Sequence, residues 1–263
     1  MARNAAAVLA LWALAALVGP ALVPDPDRID LARILAAPGQ GLWLGADDLG
    51  RDIYARLVGG ARVSLAVAVA VVLVAGTIGT AIGLLAGWAG GAVDLACVRV
   101  MEVFQAFPGL LLAIALAGAL GPGAGNAVVA LTAVGWVGFA RLARAQTRVV
   151  RSREHVLAAI ALGTRTHHIV LRHVLPLVAA PLVVEATFGF AGAIVGEAGL
   201  SFLGLGVQPP AASWGTMIRD GSAYMLVAPH FVLGPALAMA IVVLAVNLLG
   251  DRLRDALDVR TRH

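Results

Sequence analysis

The sequence predicts an all-α polytopic membrane protein with six transmembrane helices, and three observations predict it. The 263 residues are 60% hydrophobic and 13% charged, with mean hydropathy +0.92, far more apolar sequence than one soluble core uses. Several uncharged runs exceed the ~18 residues that mark a membrane helix. The basic residues are all Arg, 19 of them with no Lys, and seven fall in the one segment 141–172 between apolar runs. The net charge of +4 therefore reflects membrane topology, and no aromatic-interleaved basic patch suggests a nucleic-acid surface. Cys97 stands alone, so an intrachain disulfide is impossible and redox compartment is not indicated.

Residues 5–23, after Arg3, form the first span. An Arg followed by an Ala/Leu run also suits a cleaved signal peptide, but removing it would leave five spans and put the two ends on opposite sides. Residues 24–62 carry five Arg and six Asp. Within them, GADDLGRDIYARLVGGAR reads as a turn and then a surface helix, with Asp47 or Asp48 near its start and Gly59-Gly60 at its end. Val63 to Val93 is uncharged, giving a second span at 63–87 and a Gly-rich turn, GWAGGAVD. Val103 to Ala140 is uncharged for 38 residues, nearly twice what crosses a ~30 Å core as one helix, so it folds back at GPGAGN, giving spans 98–120 and 126–145. The fifth span is 177–198. Ala198 to Ile218, with Pro209-Pro210 and many Gly, reads as an outer loop that dips toward the membrane rather than a helix. The sixth span is 229–250. Gly76, Gly79, Gly83 and Gly87 recur at three- to four-residue steps, which favours close helix packing.

Seven Arg against one Glu in 141–172 make that segment cytosolic. Counting spans puts both termini inside and 24–62, 121–126 and 199–228 outside. The five Arg of 24–62 would prefer the cytosol, but flipping that loop alone would require removing a span.

The loop 146–176 contains EHVLAAIALGTRTHHIVLRHVLP, a short helix pair hung between spans. Ser152 can cap the first helix, Glu154 sits in its positive first turn, and Gly163 can close it in a left-handed conformation. A second short helix then runs to Pro176. The small residues Ala158, Ala159, Ala161 and Gly163 let another surface approach closely; an ordinary basic cytosolic loop is the alternative. The pattern Ala158-Ala159, three residues, Gly163, nine residues, one position, Leu175-Pro176 resembles the EAA loop of ABC-importer permeases, with Leu157 where that family usually has Glu and His173 where it often has Ile. GADDLGRDIYARLVGGAR, AFPGLL at 106–111, EAGLSFLGLGVQPPAASWG at 197–215 and NLLGDRLRDALD at 247–258 extend the resemblance to the C-type permease subunit of dipeptide, oligopeptide and nickel ABC importers. Ala46 and Ala55 replace its usual Thr and Ser.

The resemblance implies a type I ABC-importer permease fold with a cytosolic coupling-helix loop, in the cytoplasmic (inner) membrane. Coupling to the ATPase would fall to Glu154, Leu157, Ala158, Ala159, Gly163, His173, Leu175 and Pro176. It implies a homologous second permease, two ABC ATPase subunits that hold ATP and Mg, and an extracytoplasmic binding protein, with no cofactor in this chain. Without any Lys the chain cannot hold an ordinary P-loop, and no GxSxG, HExxH or paired-carboxylate constellation suggests a membrane enzyme.

Glu185, deep in an apolar span, is the leading translocation-path candidate, because such a carboxylate is costly unless it faces a cavity or partner. Glu197 at the outer end is a second candidate or an interfacial helix-end residue; Ser201 and Phe202 lie in the same stretch. Glu102 snorkels or pairs with Arg99. His155, His167, His168 and His173 show no structural-zinc spacing. A different class, an ion-coupled secondary transporter or channel, would need titratable groups at mid-membrane, and Glu185 is its one candidate. Dipeptides or short oligopeptides are the favoured substrates, with nickel chelates and glutathione-like compounds also fitting.

Overall fold

The structure, a computed structural model, describes residues 2–39 and 41–257. Helix α1 (Ala2–Val18) is followed, after the segment 19–52, by α2 (Ile53–Ala89). The start of α2 is set by Asp52, whose carboxylate accepts the backbone N–H of Tyr54 at 2.8 Å and of Ala55 at 3.4 Å. The cap is therefore Asp52 and not Asp47 or Asp48. Nor do Gly59-Gly60 end a surface helix: the chain stays helical through them into the membrane run. A side chain at Gly60 would meet the Trp214 ring at 3.2 Å, so this glycine serves close approach rather than termination. With 37 residues, α2 is roughly 55 Å long, well beyond the ~30 Å core, and its first turns carry Arg56 and Arg62 out of the membrane.

Helix α2 packs along α5 (Ala124–Arg151), and the glycines explain how. A Cβ at Gly79, Gly83 or Gly87 would strike the backbone carbonyl of Trp136, Ala140 or Arg144 on α5, while Gly76 meets the Phe139 ring at 3.5 Å. Spaced by three or four residues, they lie on one helix face and let the two backbones touch, as lipid-embedded helices require when no hydrophobic force draws them together.

The expected span 98–120 is not one helix. Gly90 (φ +67°) and Gly91 (φ +53°) turn the chain into α3 (Gly91–Gln105), and α3 meets α4 (Gly109–Leu120) at a bend of 84°. Pro108 lacks an N–H for the helical ladder and pushes Phe107 out of the α region, so AFP is a break. Five helices of the described residues are long and apolar enough to cross a membrane, and there are six when this bent pair is counted as one broken span. The turn into α5 lies where GPGAGN indicates it: Gly121 (φ +89°) and Gly123 (φ +146°) reverse the chain, and the Asn126 amide donates to the carbonyls of Leu120 and Gly121 at 3.0 Å each.

After α5 come α6 (Glu154–Ala161), α7 (Thr166–Ile169), a π turn at Val170–Val174, and α8 (Leu175–Phe202). From Thr166 to Phe202 the rod is unbroken. Pro176 thus does not end a second short helix. The Leu175 N–H reaches back to the Val170 carbonyl, so the ladder has already shifted where the proline's missing donor falls. The outer stretch is also more helical than its Gly and Pro suggest. Helix α8 extends to Phe202, and α9 (Trp214–Ser222) begins with a reciprocal cap: the Thr216 N–H donates to the Ser213 hydroxyl (3.3 Å) and the Ser213 N–H to the Thr216 hydroxyl (2.9 Å). Helix α10 (Pro229–Leu257) completes the bundle.

The first span is part of that bundle. Trp12 packs 6.1 Å from Phe190 and 5.8 Å from Trp214, ring centre to centre, and Trp214 donates its indole N–H to the Leu57 carbonyl at 3.0 Å.

The two ends of the bundle differ in chemistry. At one end lie the segment 19–52, α9 and the Gly121–Asn126 turn, linked by the Gly123 N–H to the Leu205 carbonyl (3.2 Å). Three of the five arginines that resist an outer placement are paired there. Arg51 bonds Asp47 at 2.6 Å, the buried Arg56 bonds Asp27 at 2.9 Å and Asp47 at 3.4 Å, and Arg33 meets Asp30 at 3.3 Å. Burial, and then the charge of Asp47, push the Asp48 carboxyl above the usual range. The other end holds the Gly90-Gly91 turn, the α6–α7 hairpin and the Arg cluster. There Arg144 grips both carboxylate oxygens of Asp94, with Nη2 to Oδ2 at 2.7 Å, and Arg151 lies over the Trp88 ring at 5.3 Å.

Candidate functional site: a hairpin and two helix-lined cavities

Helix α5 runs to Arg151, and the Ser152 hydroxyl donates back to the Val149 carbonyl at 2.9 Å. Ser152 therefore closes α5 and does not cap α6; Arg153 precedes α6 and supplies no side-chain cap. Glu154 does lie in the first turn of α6. Gly163 is left-handed (φ +74°), its N–H bonding the Ile160 carbonyl at 3.0 Å.

The hairpin has two faces. Val156 and Ala159 turn inward and pack with Ile169, Val174 and Val178, which fixes α6 onto the roots of α5 and α8. Outward lie Glu154, Ala158, Gly163, Leu157 (52% exposed), Ile160 and Leu162 (84% exposed). Of the residues singled out for coupling, Ala159 is thus a packing residue inside the hairpin. His173 and Leu175 are partly buried at its base, with the His173 ring 6.4 Å from that of His155, and Pro176 is exposed there. The outward Ile160 and Leu162 are absent from the family-type pattern; the i+3 spacing of Ile160 from Leu157 is a signal that finds the first, and Leu162 follows the end of α6.

The path candidates separate sharply. Glu197 and Ser201 are fully buried: Ser201 donates to one carboxylate oxygen at 2.6 Å, Ser64 of α2 donates to the other at 3.2 Å, and Ser201 in turn accepts the Val207 N–H at 3.0 Å. This network ties the start of the outer stretch to α2 and α8, so Glu197 and Ser201 face neither cavity nor interface. Phe202 is exposed at the outer end of α8. Glu102 bonds Arg99 at 2.8 Å on the surface.

Glu185 is different. It lines a cavity of about 690 Å³ walled by α2, α4, α5, α8 and α10, among them Val71, Leu110, Gly135, Phe188 and Asn247. It also lines a second cavity of about 440 Å³ toward the hairpin end, with Gln146, Pro181, Phe188 and Arg254. Phe188 and Asn247 are not legible as site residues in the sequence; the only hint is that Asn247 is the one amide within the apolar run 229–250.

A helical membrane bundle with a bent α3–α4 pair, a helical hairpin between α5 and α8, and cavities between its helices has the layout of a membrane transport subunit. Residues 79–263 match the family described as binding-protein-dependent transport system inner membrane component, and the chain belongs to that family. It is 43% identical over 236 residues to the glutathione transport system permease protein GsiD of Pectobacterium atrosepticum, covering 90% of this chain and 78% of that one. To the dipeptide transport system permease protein DppC of Alkalihalophilus pseudofirmus it is 42% identical over 228 residues, 87% of this chain and 75% of the relative. GsiD of Escherichia coli O1:K1 aligns over 264 positions at 41% identity, covering 100% of this chain and 87% of its own length. The fold is also similar to that of a chain of the MetNI methionine ABC transporter, solved in inward-facing conformations, with TM-score 0.61, 20% identity, and 77% and 96% of the two chains covered. The reading as an ion-coupled carrier or channel has no support in these matches, which are to transport-system permeases.

Proposed function

We propose that the chain forms half of the translocation pathway of an ATP-driven importer for dipeptides, short oligopeptides, glutathione or related small solutes. It pairs with a homologous permease in the cytoplasmic membrane, both termini in the cytosol. A binding protein delivers substrate to the outer end, and two ATPase subunits, which hold the ATP and Mg, dock on the hairpins. The substrate range follows the named relatives, whose systems carry glutathione and dipeptides.

The observation that carries this reading is the hairpin itself. An eight-residue helix anchored by Val156 and Ala159 leaves Leu157, Ile160 and Leu162 apolar and uncovered at the Arg-rich end. In a cytosolic position a cluster of uncovered apolar side chains marks a surface for a protein partner. ATP-driven closure of the ATPases then moves the two hairpins together, and the continuous rod Thr166–Phe202 transmits that motion to the cavities around Glu185, which open alternately to the two sides.

The test is docking. Leu162→Asp places a charge on the uncovered face without touching the inward anchors, and Gly163→Leu forces a left-handed residue to carry a side chain at a cost of roughly 1–2 kcal/mol. Both variants should reach normal membrane levels and retain the second permease, yet lose at least about tenfold in transport and release the ATPase subunits during purification. Leu157→Glu, which places on the same face the residue usual in the family pattern, should be tolerated. Full ATPase retention and wild-type transport by Leu162→Asp and Gly163→Leu would show that the hairpin is not the coupling element.

A further inference from the structure

Glu185 stands ten residues into α8, which at ~1.5 Å per residue places it roughly 15 Å from the hairpin end and near the middle of a ~30 Å core. It is the one ionisable residue in the lining of the larger cavity, where Asn247 is the other polar side chain. Three other carboxylates on these helices are engaged: Glu197 accepts from Ser64 and Ser201, Asp94 from Arg144, and Glu102 from Arg99. Among the described residues no cation and no hydroxyl or amide donor engages the Glu185 carboxylate. Space is kept for it. Its Oε1 lies 2.6 Å from where a Cβ at Gly138 would stand, so the glycine on α5 leaves the room the carboxylate occupies. Glu185 and Phe188, one turn apart on α8, are the two side chains that line both cavities, so a solute passing from one to the other moves past this pair.

Among the described residues the carboxylate forms no ion pair with Arg254, the one cation in the lining of the smaller cavity, and a carboxylate among apolar walls without a partner is costly until a cation arrives. We propose that Glu185, set between the two cavities beside Phe188 and opposite Gly138, is a specificity residue that recognises the ammonium group of the substrate in transit. This rests on the reading of the two cavities as the translocation path, and it narrows the substrate class to solutes carrying a primary ammonium, such as the free amino terminus of a small peptide. Phe188, in the lining of both cavities with Glu185, suits the same group, since a cation is attracted to an aromatic ring as well as to an anion.

The test reads the field of Glu185 directly, with two thiol reagents of opposite charge and similar size. In a Cys97→Ala background, Asn247→Cys is introduced in the assembled importer, and its modification is timed with trimethylammonioethyl methanethiosulfonate and with sulfonatoethyl methanethiosulfonate. Each rate is divided by the same reagent's rate with a free thiol in solution. The normalised preference for the cationic reagent should be at least about tenfold with Glu185 present, fall to near one with Glu185→Gln, and return with Glu185→Asp. A preference that Glu185→Gln leaves unchanged overturns the recognition role while the path reading stands. If neither reagent modifies the Asn247→Cys protein, the cavity is not an aqueous path and both readings fall together.

Discussion

At the scale of single residues, glycine does two unlike jobs in this chain, and the difference can be measured. Gly83 is a contact: any Cβ there runs into the Ala140 carbonyl and the Ala143 side chain, both on α5, and a helix backbone has no room to yield. Gly118, on α4, has nothing within 4 Å of the same position. Gly83→Val should therefore force α2 from α5 and destabilise the protein by roughly 1–3 kcal/mol. Gly118→Ala should be neutral or stabilise by about 0.5–1 kcal/mol, because alanine loses less freedom than glycine in a helix. Thermal unfolding of the purified proteins in detergent distinguishes them. Equal transition temperatures would mean that the α2–α5 contact is not close-packed. Glu197 and Glu185 make a similar contrast among acids. Twelve residues apart on one helix, one is bound on both oxygens by hydroxyls while the other faces a cavity.

At the scale of elements, the continuous helical run from Thr166 to Phe202 joins the hairpin to the cavity-lining helix. A π turn is normally where a helix accommodates an irregularity, and here it absorbs Pro176 without breaking the chain's direction. Docking and coupling are then separable functions. Inserting two glycines after Val174 should leave the outward face of α6 intact and the ATPase subunits bound, because Leu157, Ile160 and Leu162 lie before the insertion. Each added glycine weakens helical continuity by about 1 kcal/mol, so force on the hairpin no longer reaches Glu185. The expected result is ATP hydrolysis within about threefold of wild type with transport lost. Transport at the wild-type rate would mean that α8 is not the lever. The bent α3–α4 pair has a simpler origin, since a proline in AFP removes a donor at the point where two helices meet at 84°.

For the whole molecule, orientation is the property on which the functional reading depends. The paired arginines 33, 51 and 56 at one end leave the unpaired basic excess at the hairpin end, which agrees with positive residues facing the cytosol. In a Cys97→Ala background, Gln208→Cys and Ala223→Cys, both at exposed positions of the outer stretch, should be labelled by a membrane-impermeant maleimide in intact cells. His167→Cys, exposed in the hairpin, should be labelled only after permeabilisation. The reverse pattern would invert the assignment of every loop.

The membrane class, the turn at GPGAGN, the left-handed Gly163 and the place of Glu185 as an acid within an apolar helix were legible in the chain, because each depends on local chemistry. Long uncharged runs demand lipid, glycine is the residue for positive φ, and a lone acid in an apolar run requires a reason. Tertiary structure decided the rest. That Asp52 and not Asp47 caps α2 follows from Asp47 being drawn into the Arg51 and Arg56 pairs. That Gly59-Gly60 do not end a helix follows from Trp214 packing against Gly60 from 154 residues further along the chain. That Ala159 faces inward and Leu162 outward depends on where α5 and α8 hold the hairpin. Glu197, the second path candidate in the sequence, is instead held by Ser64, 133 residues away, and by Ser201. Asn247 could join Glu185 only once α10 lay beside α8. Local propensity and hydropathy are read along the chain, whereas the partner that satisfies or leaves bare a buried polar group comes from a distant segment, and only the packed bundle brings the two together.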